Sequence, residues 1–528
     1  MRALRPAVVA SLALLPSIAA AQGGSLSPLA PPARFEDPAR LEKLRTAIPR
    51  IDSVFRAAAE RAHAPGYAYG IVVDGKLVHV GVGGLREVAS RAPVDTGTVF
   101  RIASMSKSFA AAAILQLRDE GKLRLDDPAE RYVPELASLQ YPTSDSPKIT
   151  VRNLLTHSAG FPEDNPWGDQ QLAATDAEVS GMMRAGIPFS TPPGTTYEYS
   201  NYGFAILGRI VANVSGMPYA RYLTERVLRP LGMTSTTLEV ATVPAARLAH
   251  GYRWEDEKWL EEQQLPDGAF GPMGGMLTSI ADLSRWVGLM LDAWPAHSGG
   301  SDGPLRRSSL REMQQVQRYN GAVAVRVNPD SVTLSAGGYG YGLSVRQTCA
   351  HAVTVQHSGG LPGFGSLMRW LPEHGVGVVA LGNVTYMGWA GATERALQLL
   401  AETGGLVPRA PQPSPVLLTR QEQVSRLVAS WDDALADTVA AMNLYLDESK
   451  DRRRADIQRL VSDAGGDCRP EGSMIAENAL RGRWRMRCAN GDLFVAITLA
   501  PTTPALVQFL GVRPLRREES LAAPPASR

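Results

Sequence analysis

Ser104 and Lys107 stand three residues apart in the stretch Phe100–Ser108, which leads into the apolar run Phe109–Leu117. At the start of a helix, this spacing puts the hydroxyl and the amine on one face, within hydrogen-bond reach of each other. A serine hydroxyl needs an adjacent base to act as a nucleophile, and a lysine can be that base where burial or nearby positive charge lowers its pKa. The pair therefore indicates an activated serine.

The way the chain uses its basic residues supports this interpretation. Of 54 basic residues only seven are Lys, and Ser104-x-x-Lys107 is the only Ser-x-x-Lys in the chain. Arginine could not act as the base, because its pKa stays above about 12. The alternative is a helix-capping serine beside an exposed lysine, and a four-residue motif by itself leaves both interpretations open.

A second motif could supply a group that moves a proton to the leaving atom. Tyr199-Ser200-Asn201 is the only Tyr-x-Asn in the chain, and it follows an extended loop that begins with Pro192-Pro193-Gly194. A tyrosine hydroxyl at this point can serve as a general acid or base. The alternative is that Tyr199 packs at the loop end and Asn201 caps the following helix.

A third motif could hold the substrate. His357-Ser358-Gly359 ends the predicted strand 352–356 and continues into Gly360, whose missing side chain permits close approach of a ligand to the backbone. His-x-Gly also occurs at His79 and His297, so the pattern alone is weak.

Elsewhere, His157 beside Ser158 is predicted to pack and cap at the end of a short helix that closes on a glycine.

Composition narrows the class of protein. The 528 residues carry 44% hydrophobic and 20% charged residues, which suits a loop-rich globular chain of roughly three domain-sized units, or of one large and one small domain. Because the net charge is only +2, the chain lacks the excess of positive charge that would attract a nucleic acid, and none is expected as a partner. Two arginines, an apolar core and Ala19-Ala20-Ala21 predict a signal peptide over residues 1–21. We expect an exported, periplasmic or secreted protein with no membrane anchor.

The three cysteines are too few for a disulfide scaffold. Cys468 and Cys488 lie in one segment of an exported chain and could pair, which would leave Cys349 as an odd, buried thiol. Their spacing does not suggest a metal site.

The order of elements predicts an α+β protein. An Asp74-Gly75 turn joins two early strands as a hairpin, a helix runs from Ser104 to about Glu120, and residues 126–294 are mostly helical with Ser279 as one N-cap. Strands over 339–345, 352–356, 365–371 and 376–381 form an antiparallel meander before a helix at 390–403. A Pro-rich linker at 408–418 separates a small α+β domain at 419–515 from this part, and 516–528 is a disordered tail.

Taken together, the three motifs resemble those of serine β-lactamases and penicillin-binding proteins. Their order is that of the branch containing class C β-lactamases, DD-peptidases, D-aminopeptidases and family VIII carboxylesterases. The flanking segments that share the resemblance are 123–128, 149–160, 274–282 and 339–343, so that it covers roughly residues 41–403 within a domain at 22–407. It implies an αβα sandwich around a central antiparallel sheet, with an inserted all-helical subdomain and the site at their junction.

The resemblance also implies roles for individual residues. Ser104 would be acylated, Lys107 would be its base and Tyr199 would shuttle protons. Asn201 would bind the substrate and Lys107, His357 and Gly359 would line the substrate site, and the N–H groups of Ser104 and Gly360 would form the oxyanion hole. No cofactor and no metal are implied.

Two departures from the family pattern affect the expected activity. His357 stands where β-lactamases of this superfamily usually have Lys, so a permanent cation is replaced by a group near half-charge at neutral pH. A separate glutamate motif of the class A type is missing. We expect an acyl-enzyme hydrolase for small amide or ester substrates, D-amino-acid peptides (DD-peptidase or D-aminopeptidase-like) or esters. The alternatives are a class C-type β-lactamase and a non-catalytic penicillin or peptidoglycan sensor.

Overall fold

The computed structural model describes residues 26–299, 303–328, 331–516 and 519–521. It divides into two compact units, one from Asp37 to Pro408 and one formed by the residues before and after that range. The predicted signal peptide lies outside the described residues, and so does most of the predicted tail at 516–528. Among the described residues, no helix combines the length and the hydropathy needed to cross a membrane.

The unit at 37–408 contains twelve α-helices and thirteen strands among its described residues. The helices are α1 Arg40–Arg45, α2 Ile48–Arg61, α3 Ser106–Asp119, α4 Val151–Leu155, α5 Asn165–Asp169, α6 Asp176–Ala185, α7 Asn201–Ser215, α8 Tyr219–Leu223, α9 Gly271–Gly274, α10 Ile280–Asp292, α11 Arg307–Met313 and α12 Ala390–Glu402. The strands are β1 Gly66–Val73, β2 Lys76–Glu87, β3 Ala92–Pro93, β4 Val99–Arg101, β5 Tyr252–Glu255, β6 Lys258–Glu261, β7 Leu277–Ser279, β8 Arg318–Asn328, β9 Ser331–Tyr339, β10 Ser344–Thr348, β11 Thr354–Leu361, β12 Phe364–Leu371 and β13 Val376–Gly382.

Nine strands form one antiparallel sheet in the order β3-β2-β1-β13-β12-β11-β10-β9-β8. Alternate residues of β1 point to opposite faces of the sheet. Ala68 and Val72 belong to a core with α3 and α10, whereas Tyr69, Ile71 and Val73 belong to a second core with α2 and α12. Helices therefore cover both faces, and the predicted α+β sandwich is confirmed.

Local sequence explains the elements that lead to the serine. The predicted hairpin is present, and Asp74 and Gly75 both adopt positive φ at its turn, as Asp-Gly favours. A 3₁₀ turn at Ala103–Met105 precedes α3, which is apolar on nearly all sides and almost entirely buried. Because α3 is a core helix, the side chains of its first turn are carried into the interior.

Two parts of the unit differ from the prediction. The insertion at 126–294, expected to be all-helical, also holds the hairpin β5–β6 and the strand β7, which pairs with β4. The hairpin β8–β9 was not predicted at all. It extends the main sheet at one edge, where the apolar residues Val323, Val332 and Leu334 are exposed, so they do not follow the burial pattern that normally marks a strand.

Among its described residues, the second unit carries three α-helices and a four-stranded antiparallel sheet. They are α13 Pro415–Ala429, α14 Asp433–Val439, α15 Lys450–Asp463, β14 Arg469–Asn478, β15 Arg481–Arg487, β16 Asp492–Leu499 and β17 Val507–Leu515. Since Ser414 caps a helix whose first residue is Pro415, the extended segment is shorter than the predicted linker at 408–418. Cys468 and Cys488 are disulfide-bonded. The prediction that Cys349 is buried was wrong, because its side chain is exposed on the polar end of the β10 hairpin.

We expect the Cys468→Ser/Cys488→Ser double variant to lose local stability in the second unit. The bond closes a segment with a sequence separation of 20 residues, and a loop of this size contributes about 3 kcal/mol. Amide hydrogens of β15 and β16 should then exchange roughly 100-fold faster by mass spectrometry. Cys349→Ser is the matched control and should leave this exchange unchanged; equal exchange in the double variant would contradict the expectation.

Candidate active site

Ser104 and Lys107 lie side by side beneath the main sheet. Ser104 sits in the 3₁₀ turn and Lys107 in the first turn of α3, with 3.0 Å between Lys107 Nζ and Ser104 Oγ. The lysine is fully buried, whereas the serine is partly exposed. The predicted proximity is present, and the alternative of an exposed lysine is wrong.

Two further contacts fix the orientation of the amine. Lys107 Nζ donates to Asn201 Oδ1 at 2.7 Å and to the carbonyl oxygen of Met273 at 2.7 Å. A neutral amine has two N–H groups and one lone pair. Because both of these oxygens act as acceptors, they take the two N–H groups, and the lone pair is left for the hydroxyl of Ser104.

Burial changes the charge of this lysine. Desolvation lowers the pKa of Lys107 to about 7, and the charges of Asp164 and Asp169 oppose this fall without cancelling it. A large fraction of the protein therefore carries the neutral amine at neutral pH. A neutral amine 3.0 Å from a hydroxyl can accept its proton, as nucleophilic catalysis by serine requires.

We expect kcat/KM for a neutral ester to rise with pH through about 7, because protonated Lys107 cannot accept a proton and the neutral amine can. The rise should have unit slope below that value and level off above it. Initial rates between about pH 5 and about pH 9 check this. The rise of kcat/KM with pH should persist in Asp169→Asn, a variant that removes a second cleft group with a pKa in this range. A pH-independent kcat/KM in the wild type would rule out the lysine as the base.

Tyr199 lies over the amine. The Lys107 Nζ is 4.8 Å from the centre of the Tyr199 ring. Burial raises the pKa of Tyr199 well above its usual value, and a hydrogen bond with Ser104 opposes this only in part. The phenol thus stays protonated at neutral pH and can relay a proton rather than act as a standing anion.

His157 is a neighbour of the site that sequence reasoning assigned only a packing and capping role. It follows α4 at positive φ, is buried, and its ring lies 4.2 Å from that of Tyr199. Its Nδ1 accepts the backbone N–H of Ser200 at 3.0 Å. Burial and the charge of Lys107 hold the pKa of His157 well below its usual range, so a neutral ring supports the Tyr199 loop.

Asn201 is the first residue of α7. Ser200, not Asn201, caps this helix, since its Oγ accepts the Gly203 N–H. Asp164 accepts the N–H groups of Asn201 at 2.6 Å and of Tyr202 at 2.8 Å, which suits a carboxylate at a helix N-terminus. The side chain of Asn201 is thereby free to contact Lys107.

The third motif lies on β11 beside the Ser104 turn. A Cβ at Gly359 would stand 2.1 Å from the Ile102 carbonyl oxygen, so only glycine allows this strand to approach the turn. At Gly360 a Cβ would meet the ring of Tyr386 at 2.8 Å. Because these two residues lack side chains, the backbone of β11 can lie close to the turn that holds Ser104.

His357 is neutral, which corrects the expectation of a half-charged group. Its Nδ1 lies 2.6 Å from the Ser358 carbonyl oxygen, so this nitrogen carries the proton, and its Nε2 accepts from the Tyr339 hydroxyl at 2.8 Å. Burial, reinforced by Lys107, lowers the pKa of His357 to about 3. The sequence pattern gave no sign of this burial.

These residues open onto a cleft of about 490 Å³. Its walls come from the 3₁₀ turn, α5, the Tyr199 loop, β11 and the segment after β13. The lining residues are Ser104, Asn165, Pro166, Asp169, Tyr199, His357, Ser358, Gly360 and Tyr386. Sequence reasoning identified the serine, the tyrosine and the β11 residues, and it missed Asn165, Pro166, Asp169 and Tyr386.

Comparison with protein families settles where the chain belongs. The family model described as Beta-lactamase matches residues 51–403. The chain belongs to the beta-lactamase family. The match spans the helices and strands that build the cleft, and it places the protein among β-lactamase-fold serine hydrolases.

Curated relatives of this beta-lactamase-family protein are distant. Protein flp of Staphylococcus aureus strain COL is 27% identical over 337 residues, or 63% of each chain. The protein thus spans less than two thirds of the length of that relative. A Lysobacter lactamgenus protein named Beta-lactamase is 27% identical over 344 residues, which is 63% of this chain and 86% of the relative.

Two solved structures share the fold. The octameric penicillin-binding protein homologue from Pyrococcus abyssi has a TM-score of 0.56 at 20% identity, covering 86% of this chain and 96% of its own. A penicillin-binding protein from Bacillus halodurans has a TM-score of 0.51 at 24% identity, covering 65% of this beta-lactamase-family chain and 99% of its own. At these identities the similarity concerns the fold.

Proposed function

We propose that the protein is an exported hydrolase that cleaves small amide or ester substrates through an acyl-enzyme on Ser104. The observation that carries this proposal is the position of Lys107 Nζ, which lies 3.0 Å from Ser104 Oγ and also donates to Asn201 and to Met273. In the neutral amine those two acceptors take both N–H groups, which leaves the lone pair for the Ser104 hydroxyl. The substrates we propose are D-amino-acid peptides or esters.

Acylation begins when Ser104 Oγ attacks the carbonyl carbon and its proton passes to the Lys107 amine. The negative charge that develops on the carbonyl oxygen is received by the backbone N–H groups of Ser104 and Gly360, an arrangement typically worth about 3 kcal/mol per donor. Asn201 is fully buried and positions the Lys107 amine, not the substrate. His357 lines the substrate site and acts through its neutral ring rather than through charge.

The tetrahedral intermediate collapses when the bond to the leaving group breaks. Tyr199 passes the proton from Lys107 to the leaving nitrogen or oxygen, and an ester between the acyl group and Ser104 remains. A water molecule then attacks this ester and gives a proton to the Lys107–Tyr199 pair. The bond between the acyl carbon and Ser104 Oγ breaks, the pair returns the proton to Oγ, and the acid leaves with the Ser104 hydroxyl restored. The chain has no class A glutamate motif, so these two residues are the groups we assign to activate the water.

Three substrates separate this proposal from its alternatives. Turnover of a p-nitrophenyl ester or a D-alanyl anilide, together with a persistent penicillin adduct, is the expected result. Rapid hydrolysis of nitrocefin with a short-lived adduct would instead indicate a class C-type β-lactamase. An adduct without turnover of any of the three would indicate a penicillin or peptidoglycan sensor. Ser104→Ala serves as the background in each assay.

A further inference from the structure

Asp169 is a buried carboxylate on the wall of the cleft that the proposed mechanism does not use. It is the last residue of α5 and only 4% exposed, yet it lines the same cleft as Ser104. Its charge acts on both Lys107 and Tyr199. A buried ionisable group at such a position costs free energy unless a partner compensates it.

One of its two oxygens has a partner and the other faces the cleft. Asp169 Oδ2 accepts the Tyr386 hydroxyl at 2.8 Å. Within the described part of the chain, no donor is found for Oδ1, although this atom is not enclosed by protein. The ring of Tyr386 lies against Gly360, which fixes the carboxylate relative to the proposed oxyanion hole.

The cleft offers this carboxylate no cation. Neither Lys nor Arg is among the described residues that line it, and His357 is neutral. Lys107 is buried next to Ser104 and its N–H groups are already used. Burial therefore raises the pKa of Asp169 to about 6, against the hydrogen bond from Tyr386 and the charge of Lys107. The carboxylate is still ionised at neutral pH, and Lys107, whose own pKa is lowered to about 7, compensates its charge only in part.

We propose that Asp169 receives the ammonium group of a substrate whose scissile carbonyl lies at Ser104. An ammonium group supplies the missing cation and can donate to the free Oδ1 in a site shielded from water, where such a contact is strong. Tyr386 positions the carboxylate by holding Oδ2. The inference rests on the proposed hydrolase function and narrows its substrate class.

The same charges disfavour substrates that place a carboxylate in the cleft. Peptides cleaved at a C-terminal residue carry such a group, and here it would meet an anion without any Lys or Arg among the described lining residues. A penicillin carries one too, so we expect it to bind weakly and to acylate Ser104 slowly, only at high concentration. A peptide or ester with a free amino group beside the scissile carbonyl instead places a positive charge near the Asp169 carboxylate, which attracts it. The cleft therefore favours removal of an N-terminal D-residue over removal of a C-terminal one.

The experiment compares D-alanine p-nitroanilide with its N-acetyl derivative, which differ in the charge at the amino group. The ratio of their kcat/KM values should favour the free amine in the wild type and fall roughly 30-fold in Asp169→Asn, mainly through KM. Glu163→Gln is the matched control, because it removes a neighbouring negative charge that does not line the cleft, and its ratio should stay at the wild-type value.

A binding measurement keeps this test independent of turnover. Calorimetry with D-alaninamide and N-acetyl-D-alaninamide is done on Ser104→Ala and on Ser104→Ala/Asp169→Asn. Preference for the free amine that depends on Asp169 would support the inference even if no substrate is hydrolysed, a result that would count against the hydrolase proposal alone. Equal loss for both ligands, or an unchanged ratio in Asp169→Asn, would overturn the assignment of Asp169.

Discussion

Lys107→Arg should lower kcat/KM at least about 1,000-fold although it keeps the positive charge. The fully buried amine at position 107 has a pKa lowered to about 7, whereas a guanidinium stays protonated and has no lone pair to offer Ser104. Arginine also places its planar group where Asn201 and Met273 each take one N–H. The loss should appear in the acylation rate measured with a chromogenic ester.

The control for this variant is Lys148→Arg, a change of the same kind at a half-exposed lysine outside the cleft. It should keep wild-type turnover. Since a larger side chain at a buried site costs stability, thermal unfolding of Lys107→Arg is measured in parallel, and rates are compared well below its midpoint. Retention of more than about a tenth of the activity by folded Lys107→Arg would refute the proton-accepting role.

Ser104→Ala should abolish turnover and leave the fold intact. Removing the hydroxyl takes away the nucleophile, while Lys107 keeps its hydrogen bonds to Asn201 and Met273. The midpoint of thermal unfolding should stay the same or rise slightly, because catalytic residues are commonly retained at a cost in stability. Turnover of a p-nitrophenyl ester and calorimetric unfolding check the two parts.

Ser108→Ala, in the first turn of α3, is expected to lower stability and leave turnover unchanged, the opposite of Ser104→Ala. Ser108 Oγ donates to the Met105 carbonyl oxygen at 2.9 Å and accepts from Trp286 Nε1 at 3.1 Å. Its loss leaves a buried indole N–H without an acceptor and should cost about 1–3 kcal/mol of stability while turnover per folded molecule stays the same. If Ser104→Ala and Ser108→Ala behaved alike in both assays, Ser104 would have no special part in the chemistry.

The parts of the site that local sequence determines were predictable. The spacing of Ser104 and Lys107 fixes their relation within one turn of a helix, and the apolar residues after them show that this helix is buried. The Asp74-Gly75 turn and the glycines of β11 were predictable in the same way, because their residue types indicate the backbone conformation or close approach that the structure shows. A Cβ at Gly359, for example, would clash with a neighbouring carbonyl oxygen. Such features depend on residues close in the chain.

Features that depend on tertiary packing were not predictable. Nothing in the sequence of α5 marks Asp169, which reaches the cleft only because α5 packs beside α7 and Tyr386 arrives from the segment after β13. The neutral state of His357 depends on its burial and on the charge of Lys107, and its Nε2 accepts from Tyr339, 18 residues away. The hairpin β8–β9 exposes the apolar residues Val323, Val332 and Leu334, so they do not follow the apolar-inside alternation that identifies strands.

The most direct test of the account is intact-protein mass spectrometry after incubation with a fluorescent penicillin, followed by peptide mapping of the adduct. The account predicts a single acyl group on the peptide that contains Ser104 in the wild type and no adduct in Ser104→Ala. In Lys107→Arg the adduct should form far more slowly. An adduct on another residue, or one that survives in Ser104→Ala, would contradict the assignment of Ser104 as the nucleophile.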